Sequence, residues 1–190
     1  MLSTNIKEAT KVAHQQLEVK VVKKLKAVRS DADYADLLLH FYAYFSHLEQ
    51  EIKPYINTQV LPDYAERRNA AYLKSDIEEL GFTIDHLPST TVPQLSNTME
   101  ALAALYVMEG SIMGGSIIVQ MLAKGGITKG VSFFSGYGAE TGQMWGKFIA
   151  VLNAEAKTPA DEDLAIKTAN ATFTHFSDVF TEVKVVQHLS

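Results

Sequence analysis

Cysteine is absent from the 190 residues of this chain. Its absence excludes disulfide bonds, thiolate zinc sites, iron–sulfur ligation, thiol nucleophiles and every other metal centre that needs a cysteine ligand. Any metal in the protein must therefore be held by histidine, a carboxylate, methionine, tyrosine or backbone oxygen.

An excess of positive charge is also missing, since 17 basic side chains face 22 acidic ones for a net charge of −5. Nucleic-acid binding needs a basic total or a strong basic stripe, so we predict no nucleic-acid partner. The N-terminus lacks the basic and apolar segments of a signal peptide, which predicts a cytoplasmic protein. The length and a hydrophobic share of 47% are typical of one globular domain over residues 1–190.

One long apolar segment requires a membrane test. Residues 101–123 carry a single charge, Glu109, and their length alone permits a transmembrane helix. However, Glu109 lies near the middle of the segment, among serines and three glycines. This pattern favours a buried helix of a bundle, so we predict no membrane insertion.

The dominant hydrophobic period is helical, and no segment shows sustained period-two alternation. The sequence therefore predicts an all-α bundle of about six main helices. The first begins near Asn5, which resembles a capping box with Glu8, and caps are also predicted at Ser30 and Thr158. The predicted helices cover approximately residues 5–28, 31–53, 63–80, 94–124, 140–156 and 158–186.

Charge is distributed unevenly along the chain. The first 29 residues contain seven basic and two acidic side chains, a local +5, and the remainder carries −10. A solvated helix face explains most such lysines. The alternative is a basic surface for an anionic ligand or an acidic protein partner.

His14 stands out among the histidines because Lys7 and Lys11 precede it by two turns and one turn, and Glu18 follows by one. All four share one face if the helix is continuous. His14 could be a half-exposed histidine with an i,i+4 carboxylate. The alternative is a metal ligand oriented by Glu18, with the two lysines near an anion.

A glycine cluster, Gly110, Gly114 and Gly115, lies inside the fourth predicted helix. Each glycine costs about 1 kcal/mol against alanine in a helix. Close helix packing would explain the cluster, and so would a kinked helix whose bare backbone lies against a flat ligand. The sequence alone leaves both explanations open.

Both segments resemble motifs of the haem oxygenase family. Residues 7–18, KEATKVAHQQLE, resemble its proximal-helix motif, and residues 105–115, LYVMEGSIMGG, resemble its glycine-rich distal helix. The second segment is similar to the bacterial branch that makes biliverdin, often for bacteriophytochromes. Stretches at 66–81, 133–148 and 169–173 fit the branch in type and order, so the resemblance spans nearly the whole chain.

The resemblance implies a bundle with haem held between the first and fourth main helices. It makes His14 the axial ligand of the iron and Glu18 the hydrogen-bond partner that orients the imidazole. Lys7 and Lys11 match basic residues near the haem propionates. Lys147 on the fifth helix is a further candidate for a propionate contact.

The same resemblance makes Gly110, Gly114 and Gly115 the distal wall against the porphyrin. Many family members have an aspartate after the first distal glycine, where it organises a proton-delivering water. Here that position is Ser111, whose hydroxyl can hold water but is a poorer proton relay. We therefore expect the catalytic set to be His14, Gly110, Ser111 and Gly114.

The implied reaction cleaves haem, which is both substrate and cofactor, with O₂ and external electrons to biliverdin, CO and ferrous iron. A ferredoxin or a reductase would supply the electrons. Three alternatives remain: a haem-binding or trafficking protein of the same fold, thiamin-type pyrimidine chemistry on a related fold, and a plain helical interaction module. The sequence does not fix the biliverdin isomer, the donor or the oligomeric state.

Overall fold

A computed structural model describes residues 1–181 of the chain, and no strand occurs in that range. The predicted all-α fold is therefore confirmed. The final part of the last predicted helix, through residue 186, lies outside the described residues. The helices are α1 (Leu2–Ala9), α2 (Lys11–Lys26), α3 (Asp31–Ile52), α4 (Ala70–Glu79), α5 (Thr98–Met113), α6 (Gly115–Lys124), α7 (Thr141–Glu155) and α8 (Pro159–Val179).

The first predicted helix is in fact two helices, because the chain breaks at Thr10, where φ is −98° and ψ is 0°. The buried Thr10 hydroxyl donates a hydrogen bond to the Ile6 carbonyl at 2.7 Å, a bond that bends helices. The predicted start at Asn5 is wrong, since α1 begins at Leu2. Asn5 instead donates its side-chain amide to Glu162 on α8 at 2.7 Å.

The fourth predicted helix is also divided, and it begins later than expected. α5 starts at Thr98 because the Asn97 side chain accepts a hydrogen bond from the Glu100 amide at 2.9 Å. Gly114, with φ −84° and ψ −5°, separates α5 from α6. The second explanation for the glycine cluster requires a kinked helix, and the structure shows a break of the helix at this point.

Two other predicted caps are confirmed. Ser30 caps α3 by accepting the Asp33 amide at 3.2 Å. Thr158 and Asp161 form a reciprocal capping box at the start of α8, with Pro159 in the first turn. The third predicted helix begins too early, because a short 3₁₀ turn covers Tyr64–Glu66 and α4 starts only at residue 70.

The centre of the bundle is α5, which packs against α3, α7 and α8. Eleven of its 16 residues are buried. An aromatic cluster from α3, α8 and the connection before α7 belongs to the same hydrophobic core. The fully buried aromatic side chains are Tyr34, Tyr44, Phe45, Phe133, Phe134, Phe148 and Phe176.

Taken through the break, Thr98–Lys124 is long and apolar enough to cross a membrane by length and composition. Of its apolar window, 56% is buried inside the bundle. A core helix passes the same test, so the segment is weak evidence for a membrane span. The absence of membrane insertion stays a prediction.

Candidate active site

A cleft of about 320 Å³ lies between α2 and the junction of α5 with α6. It brings together residues that are far apart in sequence and were singled out independently. The wall formed by α2 carries His14 and Glu18. The opposite wall carries the glycine-rich turn between α5 and α6. The predicted site residues that line it are His14, Glu18, Gly110, Ser111 and Gly114.

Most of the cleft surface is apolar. Leu17, Val21 and Leu25 line the wall formed by α2, while Ile117 and Met121 line the wall formed by α6. These α2 residues recur at spacings of four, so they form one stripe that continues from His14 along the helix. An apolar cleft of this size suits an apolar small molecule.

His14 is exposed on α2 and its ring lies 5.2 Å from the ring of Phe173, measured between centroids. Glu18 is also exposed and lies one helical turn further along. Among residues 1–181 no hydrogen bond joins the two side chains, so the orienting role of Glu18 stays a prediction. The imidazole is thus placed at the rim of an apolar cleft and is accessible to a ligand.

Gly110 and Gly114 present bare backbone to the cleft. A Cβ added at Gly110 would meet only the Trp145 ring, at 4.0 Å, and one at Gly114 would meet only the Gly110 carbonyl, at 3.6 Å. Neither position needs glycine for protein packing. The missing side chains leave room for a flat molecule against the backbone, which is the space that a porphyrin opposite His14 requires.

Gly115 is placed differently, since it is buried and does not line the cleft. A Cβ at Gly115 would lie 2.2 Å from the Phe134 carbonyl oxygen, a contact that backbone cannot relieve. The two explanations for the glycine cluster therefore divide among its members. Gly115 serves close packing, whereas Gly110 and Gly114 leave the cleft open.

The connection that covers Gly115 is held by a buried carboxylate. Asp76 on α4 accepts hydrogen bonds from the Ser132 amide at 3.0 Å, the Ser132 hydroxyl at 2.6 Å and the Phe133 amide at 2.9 Å. This carboxylate is 1% exposed, and three donors satisfy its two oxygens. The two residues that precede Phe134 are thereby attached to α4, and the Phe134 backbone lies against Gly115 of α6.

Ser111 is half-buried on the cleft side of α5. Its hydroxyl donates to the Val107 carbonyl, one turn earlier, at 3.0 Å. The single hydroxyl hydrogen is therefore used within the helix, and the oxygen is left to accept. In this arrangement Ser111 can hold a water molecule but does not donate a proton.

The three predicted propionate lysines are all exposed, and none lines the cleft. Lys7 belongs to α1, before the break at Thr10, so it does not share a continuous helix with Lys11. Lys147 lies on α7. Their contact with an anionic group stays a prediction for all three.

Sequence reasoning missed a buried ion pair behind the glycine-rich turn. Arg67, 3% exposed, donates from Nη1 to Glu109 Oε2 at 2.8 Å. The same guanidinium binds Asp63 through two bonds, of 2.8 and 3.0 Å, and the Met144 carbonyl at 3.0 Å. The sequence offered one signal for this pair: Glu109 is the single charge of the apolar segment, and a buried carboxylate needs a partner.

Burial raises the pKa of Glu109 to about 7, and the nearby Arg67 opposes that rise. One of its oxygens, Oε1, is buried without a hydrogen-bond partner among the described residues. Glu109 lines a second cavity, of about 350 Å³, together with Arg67, Glu49 and Tyr64. The side chain therefore points away from the cleft that its neighbour Gly110 lines.

Comparison with known proteins shows the family to which this chain belongs. The family model described as "Heme oxygenase" matches residues 1–182. The chain belongs to the haem oxygenase family. As a haem oxygenase, it is an enzyme of haem degradation with haem as its substrate, and the predicted family is confirmed.

Two bacterial relatives carry the same name. This haem oxygenase is 31% identical to "Heme oxygenase" of Xanthomonas campestris pv. campestris over 149 residues, which are 77% of this chain and 88% of the relative. It is 25% identical to "Heme oxygenase PigA" of Pseudomonas aeruginosa over 174 residues, or 90% and 86%. The prediction of the biliverdin-producing bacterial branch stays a prediction.

A solved structure has the same fold. The NO- and CO-bound heme oxygenase from Neisseria meningitidis matches with a TM-score of 0.80 at 20% identity, over 95% of this haem oxygenase and 90% of that chain. In residues 1–181 no group of three or more His, Asp or Glu side chains could hold a metal ion. A lone histidine fits a metal whose remaining ligands arrive with it, as in haem.

Proposed function

We propose that this haem oxygenase binds haem in the cleft between α2 and the α5–α6 junction. It would cleave the ring with O₂ and external electrons to biliverdin, CO and ferrous iron. The observation that carries the proposal is the placement of His14 opposite the bare backbone of Gly110 and Gly114. An imidazole on one wall and an uncovered backbone on the other suit a flat, iron-bearing ring.

Bound haem supplies the iron and the oxidisable ring, and the protein supplies ligation, orientation and exclusion of water. His14 holds the substrate from the α2 side through a ring nitrogen, and Glu18 orients the imidazole. Gly110 and Gly114 restrict the space above the ring. Ser111 accepts a hydrogen bond from a water molecule and keeps it at the distal wall.

The electron donor is proposed to be a ferredoxin or a reductase with an acidic surface. The last turn of α2 carries Lys23, Lys24 and Lys26, and the first 29 residues have a local charge of +5. Opposite charge accelerates the encounter of two proteins and makes it sensitive to salt. The same helix carries His14, so a docked donor would lie close to the substrate.

A haem titration followed by reduction tests the proposal. Ferric haem is added to the purified protein until the Soret band saturates, and then ascorbate, or ferredoxin with its reductase, is added in the presence of catalase. We expect the Soret band to be replaced by biliverdin absorption. Catalase removes free peroxide, so ring opening by peroxide in solution does not contribute.

A non-catalytic haem-binding protein would give a different result. A stable Soret band without a green product after reduction supports haem binding or trafficking and contradicts turnover. The intrahelical bond of Ser111 favours this second function, because the hydroxyl hydrogen is directed at the Val107 carbonyl and not into the cleft. Failure to bind haem stoichiometrically would contradict both functions.

A further inference from the structure

We propose that Glu109 and Arg67 are positioning residues of the distal wall. Their buried ion pair fixes residues 110–114 over the substrate and thereby sets the ring carbon at which haem is opened. The inference rests on the proposed function, since it assumes that haem lies in the cleft and is opened there. Neither side chain lines that cleft, so neither is a catalytic residue.

The first support is the strength of the attachment at one end of the segment. Glu109 directly precedes Gly110 and is 2% exposed. Its partner Arg67 is fixed in turn by the bidentate bond to Asp63 and by the Met144 carbonyl of α7. A planar guanidinium held on three sides allows Glu109 little freedom, so the start of the segment is tied to α7.

The second support is the attachment at the other end. Gly115 directly follows Gly114 and lies against the Phe134 backbone, and the Asp76 carboxylate holds the amide of the preceding residue, Phe133. The five residues between these attachments contain the break at Gly114. A helix break is a place where the chain can bend, and here both of its flanks are fixed from outside the cleft.

The third support is the empty space behind α5. The cavity of about 350 Å³ lies against Glu109, Met108 and Leu105, and the Oε1 atom of Glu109 has no hydrogen-bond partner among the described residues. This side of α5 is thus packed less completely than the sides that face α7 and α8. The ion pair with Arg67 is what holds the helix forward, toward the substrate.

Displacement of the segment has a direct effect on the substrate. Gly110 and Gly114 contact the cleft with backbone atoms, which cannot adjust by side-chain rotation. A small shift of α5 would thus change the space above the ring on one side more than on the other. We expect this change to alter which ring carbon is attacked.

The test compares Glu109→Leu, Glu109→Asp and Glu109→Gln with the natural protein. Two readouts are used: the C–O stretching vibration of the ferrous haem–CO complex, and the ratio of biliverdin isomers separated by chromatography. Glu109→Leu and Glu109→Asp should shift or broaden the vibration and change the isomer ratio. Glu109→Gln should stay close to the natural protein, because its amide oxygen still accepts from Arg67.

Glu78→Leu is the matched control, since Glu78 pairs with Lys74 at 3.8 Å on the surface of α4. It removes an acidic partner of an ion pair without touching the distal segment, so both readouts should stay unchanged. Thermal unfolding of each variant separates a loss of fold from a shift of the wall.

The proposal is overturned if Glu109→Leu folds, binds haem and gives the natural vibration and isomer ratio. If Glu109→Leu does not fold, unchanged readouts in Glu109→Asp overturn it. A natural protein that binds haem but does not degrade it contradicts the proposed function and, with it, the effect on the ring carbon. The C–O vibration of the variants then still decides whether the ion pair positions the distal wall, and an unchanged vibration overturns that as well. If the natural protein does not bind haem, both proposals are contradicted.

Discussion

The two walls of the cleft are helices of equal length with very different packing. α2 and α5 each contain 16 residues, but only three residues of α2 are buried, compared with eleven residues of α5. The single acidic residue near the distal turn is buried and paired, whereas His14 and Glu18 on α2 are exposed. The distal wall is thus fixed by the protein, while the proximal wall depends on the ligand for part of its contacts.

This difference predicts which property a substitution changes. A change at the exposed cleft residues of α2, His14 or Glu18, should weaken ligand binding and leave the fold intact, because little packing is lost. A change behind α5 or α6 should affect stability or geometry first, because these helices have close neighbours on several sides.

The largest effect is expected for His14→Ala. Loss of the imidazole should abolish the histidine-ligated haem spectrum, while the free energy of unfolding changes by no more than about 1 kcal/mol, the value of one aromatic contact. Visible spectra of the haem complex and urea unfolding of the free protein measure the two quantities. His40→Ala is the control, since His40 stacks on Phe180. A natural spectrum in His14→Ala would refute the axial assignment.

Gly115→Ala and Gly114→Ala should separate packing from ligand contact. A Cβ at Gly115 lies 2.2 Å from the Phe134 carbonyl, so Gly115→Ala should cost about 3 kcal/mol of stability. Gly114 has φ −84°, which any residue adopts, so alanine there should retain stability or add up to about 1 kcal/mol. Gly114→Ala should weaken haem binding instead. Equal unfolding curves for the two variants would contradict this division.

The raised pKa of Glu109 should make the stability of the protein depend on pH. Its pKa rises from 4.5 to about 7 on folding, so the folded state binds the extra proton in that window. Its contribution therefore lowers stability as the pH rises from 4.5 to about 7. Over this window the free energy of unfolding of Glu109→Gln should rise relative to that of the natural protein by up to roughly 3 kcal/mol, because glutamine has no charge to bury. Urea unfolding at several pH values measures the gain, and a pH-independent difference would contradict it.

The smallest effect is expected for Ser111→Ala. The Ser111 hydroxyl already donates to Val107, so it is not the proton donor, and biliverdin formation should fall by less than about tenfold. Loss of a true general acid costs about 10²-fold or more. Single-turnover rates measured with saturating reductant distinguish the two cases. A loss of that larger size would show that the hydroxyl rotates away from Val107 during turnover.

Sequence patterns predicted the fold class well because helical periodicity and capping are local. Ser30 and Thr158 were found from the residues that follow them within one turn. The break at Thr10 was missed, since it depends on burial of a hydroxyl that sequence does not show. Gly114 was recognised as part of an unusual cluster, but the position of the break within that cluster was not.

The candidate site was predicted in part, and the limits are physical. His14, Gly110 and Gly114 belong to short motifs, so their meeting across the cleft could be expected from the resemblance. Gly115 belongs to the same motif but faces Phe134, which is a long-range contact. The partnership of Arg67 with Glu109 spans 42 residues, and no local pattern encodes such a pairing.

The position of Trp145 has a practical consequence. It is the only tryptophan of the chain, and its ring lies 4.0 Å from the Cβ position of Gly110 and 5.5 Å from the ring of Tyr106. All indole fluorescence thus originates beside the distal wall. A haem in the cleft would quench that emission by energy transfer, so arrival of the substrate and departure of the product can be timed in the unlabelled protein.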